Sequence, residues 1–316
     1  MNSSEEVPSA PGTTPLWKAL APWVGAVAVI AYLFFEVPYD EVWEAASRAR
    51  LDWLVPLMLI SVLYWFLLDS LAYSYLVTRF NTPFGWDEAR GMRAVTYLVA
   101  AINWNVGTAA IVLYLRRFKD IPPLESTSTL LLYMMFDTLI LTSFAVVGAT
   151  VFGESPAIQR IQLGAGIVLA VNCLVLAMLA GERPGWAWLE RMRSWSVVRA
   201  YRMANPRDFA VLLLIRIAYF AGFIAVFYFG ALSFGVNVPF TLAMASVPAI
   251  LLAGALPITP AGLGTQAAAM LFFWSAYGDR GAIVALGLVL PVTLTLTRVL
   301  LGLPYLAEFR RLRSSP

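Results

Sequence analysis

LPITPAGLGTQAAA, Leu256 to Ala269, lies in a strongly apolar part of the chain, yet Pro257, Pro260, Gly262 and Gly264 all fall inside it. The apolar run around it extends from Phe240 to Trp274, 35 residues. That is long for one membrane crossing and short for two crossings of about 20 residues plus a turn. Two half-helices that meet at a break and leave on the side where they came in fit the length. Broken backbone at membrane depth survives only where protein buries it or where it lines a wet cavity. The stretch therefore reads as a re-entrant hairpin inside an all-α, polytopic membrane fold.

The rest of the chain agrees with that fold class. Its 316 residues are 60% hydrophobic and 13% charged, with mean hydropathy +0.74, whereas soluble domains are nearer a quarter charged. Six runs have spanning length: Trp17–Phe35, Leu51–Val77, Leu124–Phe152, Ile161–Ala180, Phe209–Phe234 and Ala282–Tyr305. This predicts a polar cytoplasmic tail over 1–16, one transmembrane domain over 17–305, and a basic cytoplasmic tail over 306–316. The polar start lacks the basic region of a signal peptide, so the first run is read as a retained span.

Composition also excludes function classes. The absence of histidine removes His-metal sites, haem ligation and Ser–His or Cys–His catalysis. The single cysteine, Cys173, offers neither a disulfide nor a thiolate cluster. Asp40, Glu41 and Glu44 sit on an amphipathic stretch, YDEVWEAASRAR (Tyr39–Arg50), and read as its solvated face. No catalytic residue, metal or cofactor is assigned, and the chain does not read as an enzyme. The net charge of +3 suits a face that meets anionic lipid and gives no sign of nucleic acid.

Ala94–Leu115 reads as a second hairpin, broken near INWNVGT (Ile102–Thr108). With both hairpins re-entrant, the N- and C-termini are cytoplasmic in a cell inner membrane. Sixteen Lys and Arg then lie inside, Arg79, Arg90, Arg93 and the loop arginines among them, against four outside. The alternative, a full crossing by 94–115, gives 14 against six. The positive-inside rule prefers the first. The hairpins also share a pattern: NVGTAAIVLYL from Asn105 and GLGTQAAAMLFF from Gly262 both place Gly-Thr and then alanines after the break. Each has a span before and after it, so halves near 17–152 and 158–305 form an inverted repeat, the arrangement that places transporter sites near the midplane. Chance similarity among Gly- and Ala-rich helices is the alternative.

Ionisable groups inside spans are costly and mark candidate sites. Four clear ones lie away from the start of a run: Asp69, Asp137, Arg216 and Arg298. An arginine fork suits a phosphate-bearing headgroup, with the carboxylates tuning that contact; structural ion pairing is the bland reading. The breaks add helix N-termini and small or amide groups at Asn103, Asn105, Gly107, Thr108, Pro260, Gly262, Gly264, Thr265 and Gln266, a cradle for an anionic group. The basic loop 182–208, with GWAWLERMRSWSVVRAYRMANPRD from Gly185, reads as an inner interfacial helix. It also offers Arg191, Arg193, Arg199 and Arg202 to a protein partner.

PAGLGTQAA (Pro260–Ala268), with the apolar half-helix before it, resembles the Pro-Gly-Gly-Leu-Gly motif of the flippase-like transmembrane domain of lysylphosphatidylglycerol synthases. NVGTAAIVLYLRR occupies the place of that family's earlier motif, Asp137 that of its aspartate in the next span, and Arg298 with Gly302 that of its late arginine and glycine. The resemblance covers roughly Leu51 to Gly302. It implies a stand-alone inverted-repeat domain that moves lipids or lipid-linked substrates between leaflets. The family's glutamates fall at Thr108 and Ala267, so both carboxylates are replaced. No stretch matches the synthases' aminoacyl-transferase domain, so lipid aminoacylation is not carried over. Two functions are expected from different classes: a flippase-like transporter for an anionic headgroup, or a membrane scaffold for a partner enzyme.

Overall fold

The computed structural model describes residues 16–101, 104–152, 156–180, 186–255, 264–307 and 310, and all regular structure among them is helical. The first part of the chain forms α1 (Leu16–Glu36), α2 (Tyr39–Arg48), α3 (Leu51–Phe80), α4 (Trp86–Ala100), α5 (Trp104–Lys119) and α6 (Pro123–Phe152). The second forms α7 (Pro156–Ala180), α8 (Ala187–Arg193), α9 (Arg199–Met203), α10 (Pro206–Ser233), α11 (Phe240–Ala255), α12 (Thr265–Trp274) and α13 (Arg280–Gly302). Among the described residues, five stretches are long and apolar enough to cross a membrane: Leu51–Phe80, Pro123–Val151, Ile158–Ala180, Pro206–Ser233 and Arg280–Tyr305. The sixth expected span falls on α1, where the apolar stretch found is the shorter Val27–Glu36. This is a multi-pass membrane protein.

Local chemistry sets where the long helices begin. Asn205 accepts from the Asp208 N–H at 3.0 Å while the Asp208 carboxylate accepts from the Asn205 N–H at 2.9 Å, and Pro206 needs no amide partner in the first turn. That capping box starts α10 at Pro206, ahead of the apolar run. Asp279 does the same for α13 by accepting from the Ala282 N–H at 2.9 Å.

The order of elements recurs: a long helix, short surface helices, a long helix, two short arms, a long helix. Packing crosses between the halves. Surface helix α2 lies on α13 and α9 on α6; arm α4 lies on α13 and arm α11 on α6; α3 packs on α10.

Each pair of short arms folds back on itself. Lys119 at the end of α5 pairs with Glu88 at the start of α4, which closes the base of the first hairpin. At its tip, a Cβ on Gly107 would lie 2.5 Å from the Ala100 Cβ, so only glycine lets the arms meet. The second hairpin is closed at its base by the Asn237 N–H donating to the Tyr277 carbonyl at 3.0 Å. Higher up, Trp274 Nε1 donates to Ser246 Oγ at 2.9 Å and joins its arms. Among the described residues the arms have 15, 16, 16 and 10 residues, so the longest described helix reaches about 24 Å at 1.5 Å per residue, against a hydrocarbon core about 30 Å thick. The two bases lie at opposite ends of α3. Phe84, under Lys119, bonds Ser74 and Thr78 near the end of α3, whereas the Arg50 N–H at its start donates to Ser233, beside the second base.

The basic loop departs from the single interfacial helix expected. It folds as α8, a 3₁₀ turn (Ser196–Val198) and α9. The reason is docking: Arg199 pairs with Glu125, and the Ala200 N–H donates to Ser128 Oγ at 2.9 Å, which draws α9 onto α6. Trp186, Trp188 and Trp195 stay exposed, as expected for an interface.

Candidate functional site

Asp69 sits in the middle of α3 with no exposed surface. A carboxylate there costs about 2.5–3.5 kcal/mol even on insertion scales, and the fold answers with cations and hydroxyls on both oxygens. Arg93 of α4 donates from Nε and Nη2 to Oδ2 at 2.9 and 2.6 Å. Oδ1 accepts from Arg216 Nη1 at 3.1 Å and from the Tyr133 hydroxyl. Tyr97 reaches Oδ2 at 3.4 Å, and Arg216 Nη1 also donates to the Tyr133 oxygen at 2.7 Å. One carboxylate thus ties together α3, the first hairpin, α6 and α10.

Asp137 is held differently. Its Oδ1 lies against Arg216 Nε as an ion pair without hydrogen-bond geometry. Its side chain is 29% exposed, against 0% for Asp69. Arg216 is therefore shared between a saturated carboxylate and an accessible one.

Aromatic rings complete the network. The Arg216 guanidinium lies 3.8 Å from the Tyr219 ring centroid and 4.4 Å from that of Tyr133. Tyr97 carries two cations, with Arg93 at 4.5 Å and Arg298 at 5.6 Å. Such contacts contribute about 0.5–2 kcal/mol each, most where water is excluded. Three guanidinium groups and two carboxylates meet here, drawn from five helices.

Of the expected site residues, Asp69, Asp137 and Arg216 come together directly, and Arg298 joins through Tyr97. Gly107 is at the first hairpin's tip, Thr108 is half-buried beside it, and Asn105 is in the first turn of α5. Asn103, Pro260 and Gly262 lie outside the described residues. Gly264 has φ 88°, a left-handed conformation suited to glycine, and heads α12 under Val29 of α1. Gln266 packs on Gly254. Thr265 lines an apolar cavity of about 450 Å³ with Ala28, Val29, Tyr32, Ala253, Ala268 and Ala269.

Arg93 requires a correction. Counted with the charges of the inner side and not among the site residues, it is 5% exposed and bonded to Asp69. Its short apolar context, GMRAVTYLVA, follows a charged helix start, so it reads as a boundary residue. A signal was present nonetheless. Asp69 and Tyr73, Arg93 and Tyr97, Tyr133 and Asp137, and Arg216 and Phe220 are all four residues apart, which sets a ring beside each charge on one helix face. Tyr73, Tyr97 and Tyr133 were missed for want of that pairing, and Tyr219, three residues after Arg216, was missed with them.

A helical bundle with two folded-back hairpins, closed at opposite ends around buried ion pairs, defines a polytopic membrane protein with a polar site inside its core. The chain belongs to the family described as the lysylphosphatidylglycerol synthase TM region, which it matches over residues 19–302. That family links it to the handling of membrane lipid. No curated protein matches the sequence.

Proposed function

We propose that the protein moves a lipid or lipid-linked substrate with an anionic headgroup between the leaflets of a cell inner membrane, as a flippase-like transporter without catalysis of its own. The observation that carries this reading is the Asp69–Arg93–Arg216–Asp137 network with Arg298 beside it: a charged cluster inside an apolar bundle, one of whose carboxylates is accessible. Intramembrane ion pairs of this kind mark substrate and ion pathways. Arginine provides the planar donors that phosphate requires. In this reading the two hairpins are re-entrant and the halves form an inverted repeat with both termini cytoplasmic. The recurring element order, the crossed packing and the hairpin bases at opposite ends of α3 support it. Substrate meets Arg216 and Arg298 where the halves touch, and Asp69 holds Arg93 and Arg216 in place.

Leaflet exchange in reconstituted liposomes tests this, using labelled anionic, zwitterionic and polyprenyl-phosphate lipids. Faster exchange of an anionic class, lost in Arg298→Gln and Asp137→Asn while both variants remain folded, is the expected result. No exchange by folded parent protein would overturn it and turn attention to a partner at the exposed arginines of α8 and α9.

A further inference from the structure

Two carboxylates share one arginine, and they are not equivalent. Asp69 is closed off: both oxygens are engaged, and no part of it is exposed. Asp137 has an ion pair to Arg216 Nε without hydrogen-bond geometry, on a side chain 29% exposed. An anion that reaches Arg216 competes with Asp137 and not with Asp69. A carboxylate displaced from its cation inside a membrane is strongly disfavoured in its charged form.

The surroundings point the same way. Arg216 comes from α10, Asp69 and Tyr73 from α3, Arg93 from α4, and Tyr133 from α6 itself. Helix α11 brings no titratable side chain. On α7, Cys173 is exposed and Arg160 lies toward the Phe152 end of α6. Tyr114, Arg116, Arg117 and Lys119 of α5, and Arg199, Tyr201 and Arg202 of α9, lie toward the Glu125 end. Once Arg216 turns to another anion, the charged neighbour left nearest to Asp137 on α3 is a second carboxylate, Asp69.

We propose that Asp137 is a proton-binding site coupled to the substrate: an anionic headgroup takes the Arg216 guanidinium, and the displaced Asp137 carboxylate accepts one proton from water. This rests on the reading of the protein as a lipid transporter and adds the ion that accompanies the lipid. The balance is simple. One O–H bond forms at Asp137 as one O–H bond of a hydronium ion in the surrounding water breaks, the headgroup's negative charge replaces the carboxylate's beside Arg216, and no other bond changes. A monoanionic headgroup and its proton move together without net charge, so the membrane potential does not oppose them. Linkage makes the effect reciprocal: protonation of Asp137 strengthens anion binding as much as anion binding favours the proton.

The test uses the purified full chain in detergent at low buffer strength. Short-chain phosphatidylglycerol is the anionic probe, short-chain phosphatidylcholine the zwitterionic one, and inorganic phosphate the soluble anion, with a pH indicator recording proton exchange. The expected result is uptake of one proton per phosphatidylglycerol bound, with affinity falling about tenfold per pH unit as pH rises, since one proton per event corresponds to a factor of ten per unit. Neither phosphatidylcholine nor phosphate should produce uptake. Asp137→Asn, with a neutral amide in place of the competing carboxylate, should bind phosphatidylglycerol more tightly, without pH dependence and without uptake. Binding by the parent with no proton uptake, or uptake that persists in Asp137→Asn, would overturn the coupling and leave the transport reading standing. Uptake with phosphate alone would overturn the lipid as its source. Binding of no lipid would overturn both readings. Should Asp137→Asn fail to fold, the proton count and pH slope of the parent decide alone.

Discussion

The hairpin of α4 and α5 and the hairpin of α11 and α12 are built alike from short arms, but different matter fills them. The first carries Arg93 and Tyr97 into the centre of the protein, and Glu88 and Lys119 close its base. The second closes through backbone at Asn237 and Tyr277, and Ser246 and Trp274 make its side-chain link between arms. Near the start of α12, Ala267 is fully buried against α13, where a Cβ on Gly287 would come within 2.4 Å of the Ala267 Cα. In the first hairpin, Thr108 is half-buried. One hairpin is thus anchored by charge and the other by close contact, which teaches that the shared shape does not require a shared chemistry.

The sharpest way to break the comparison is to remove the anchor of the first hairpin. Asp69→Ala leaves Arg93 and Arg216 without their common counter-ion, and loss of one partner of a buried pair costs about 3–5 kcal/mol. Thermal unfolding in detergent should show that loss, or no folded protein should be recovered. A melting temperature close to the parent's would mean the network is not what holds α3, α4 and α10 together.

A smaller difference separates two glutamate substitutions. Ala267→Glu forces a longer, charged side chain between α12 and α13 and should cost about 3 kcal/mol or more. Thr108→Glu, at a half-buried position, should cost less than half as much. Equal losses in the same unfolding measurement would show that the second hairpin is no more tightly packed than the first.

The smallest effect belongs to the base of the first hairpin. The hydrogen bond from Lys119, together with the Gly85 N–H, holds the Glu88 carboxyl below the usual glutamate range against a modest burial effect. The pair is partly exposed, with Glu88 at 43%, so Glu88→Gln should cost no more than about 0.5 kcal/mol, as exposed pairs do. Because the folded state binds this proton more weakly than the unfolded state, the contribution is complete at neutral pH. It disappears as pH falls below the ordinary glutamate value. A parent-minus-variant difference in unfolding midpoint that grows on acidification would contradict this sign.

Much of the fold was legible from spacing. Long apolar runs marked α3, α6, α7, α10 and α13, because backbone hydrogen bonding in hydrocarbon leaves few alternatives. The site was legible only in part. Asp69, Asp137, Arg216 and Arg298 stood out because charge in a long apolar run is conspicuous. Arg93 did not, because α4 begins with Trp-Asp-Glu-Ala-Arg and resembles a surface helix until it is folded against α3. Which arginine serves which aspartate depends on helix rotation and packing across the two halves, and a linear pattern does not carry that information.

The ties of Asp69 also impose an order on biogenesis. Arg93 follows it by 24 residues and Arg216 by 147. A nascent chain that has released α3 and the first hairpin already carries both members of the Asp69–Arg93 pair. Asp137 receives its arginine only when α10 emerges. Until then, a chain stalled between α6 and α10 carries a carboxylate without that cation, a state that is costly inside a bilayer.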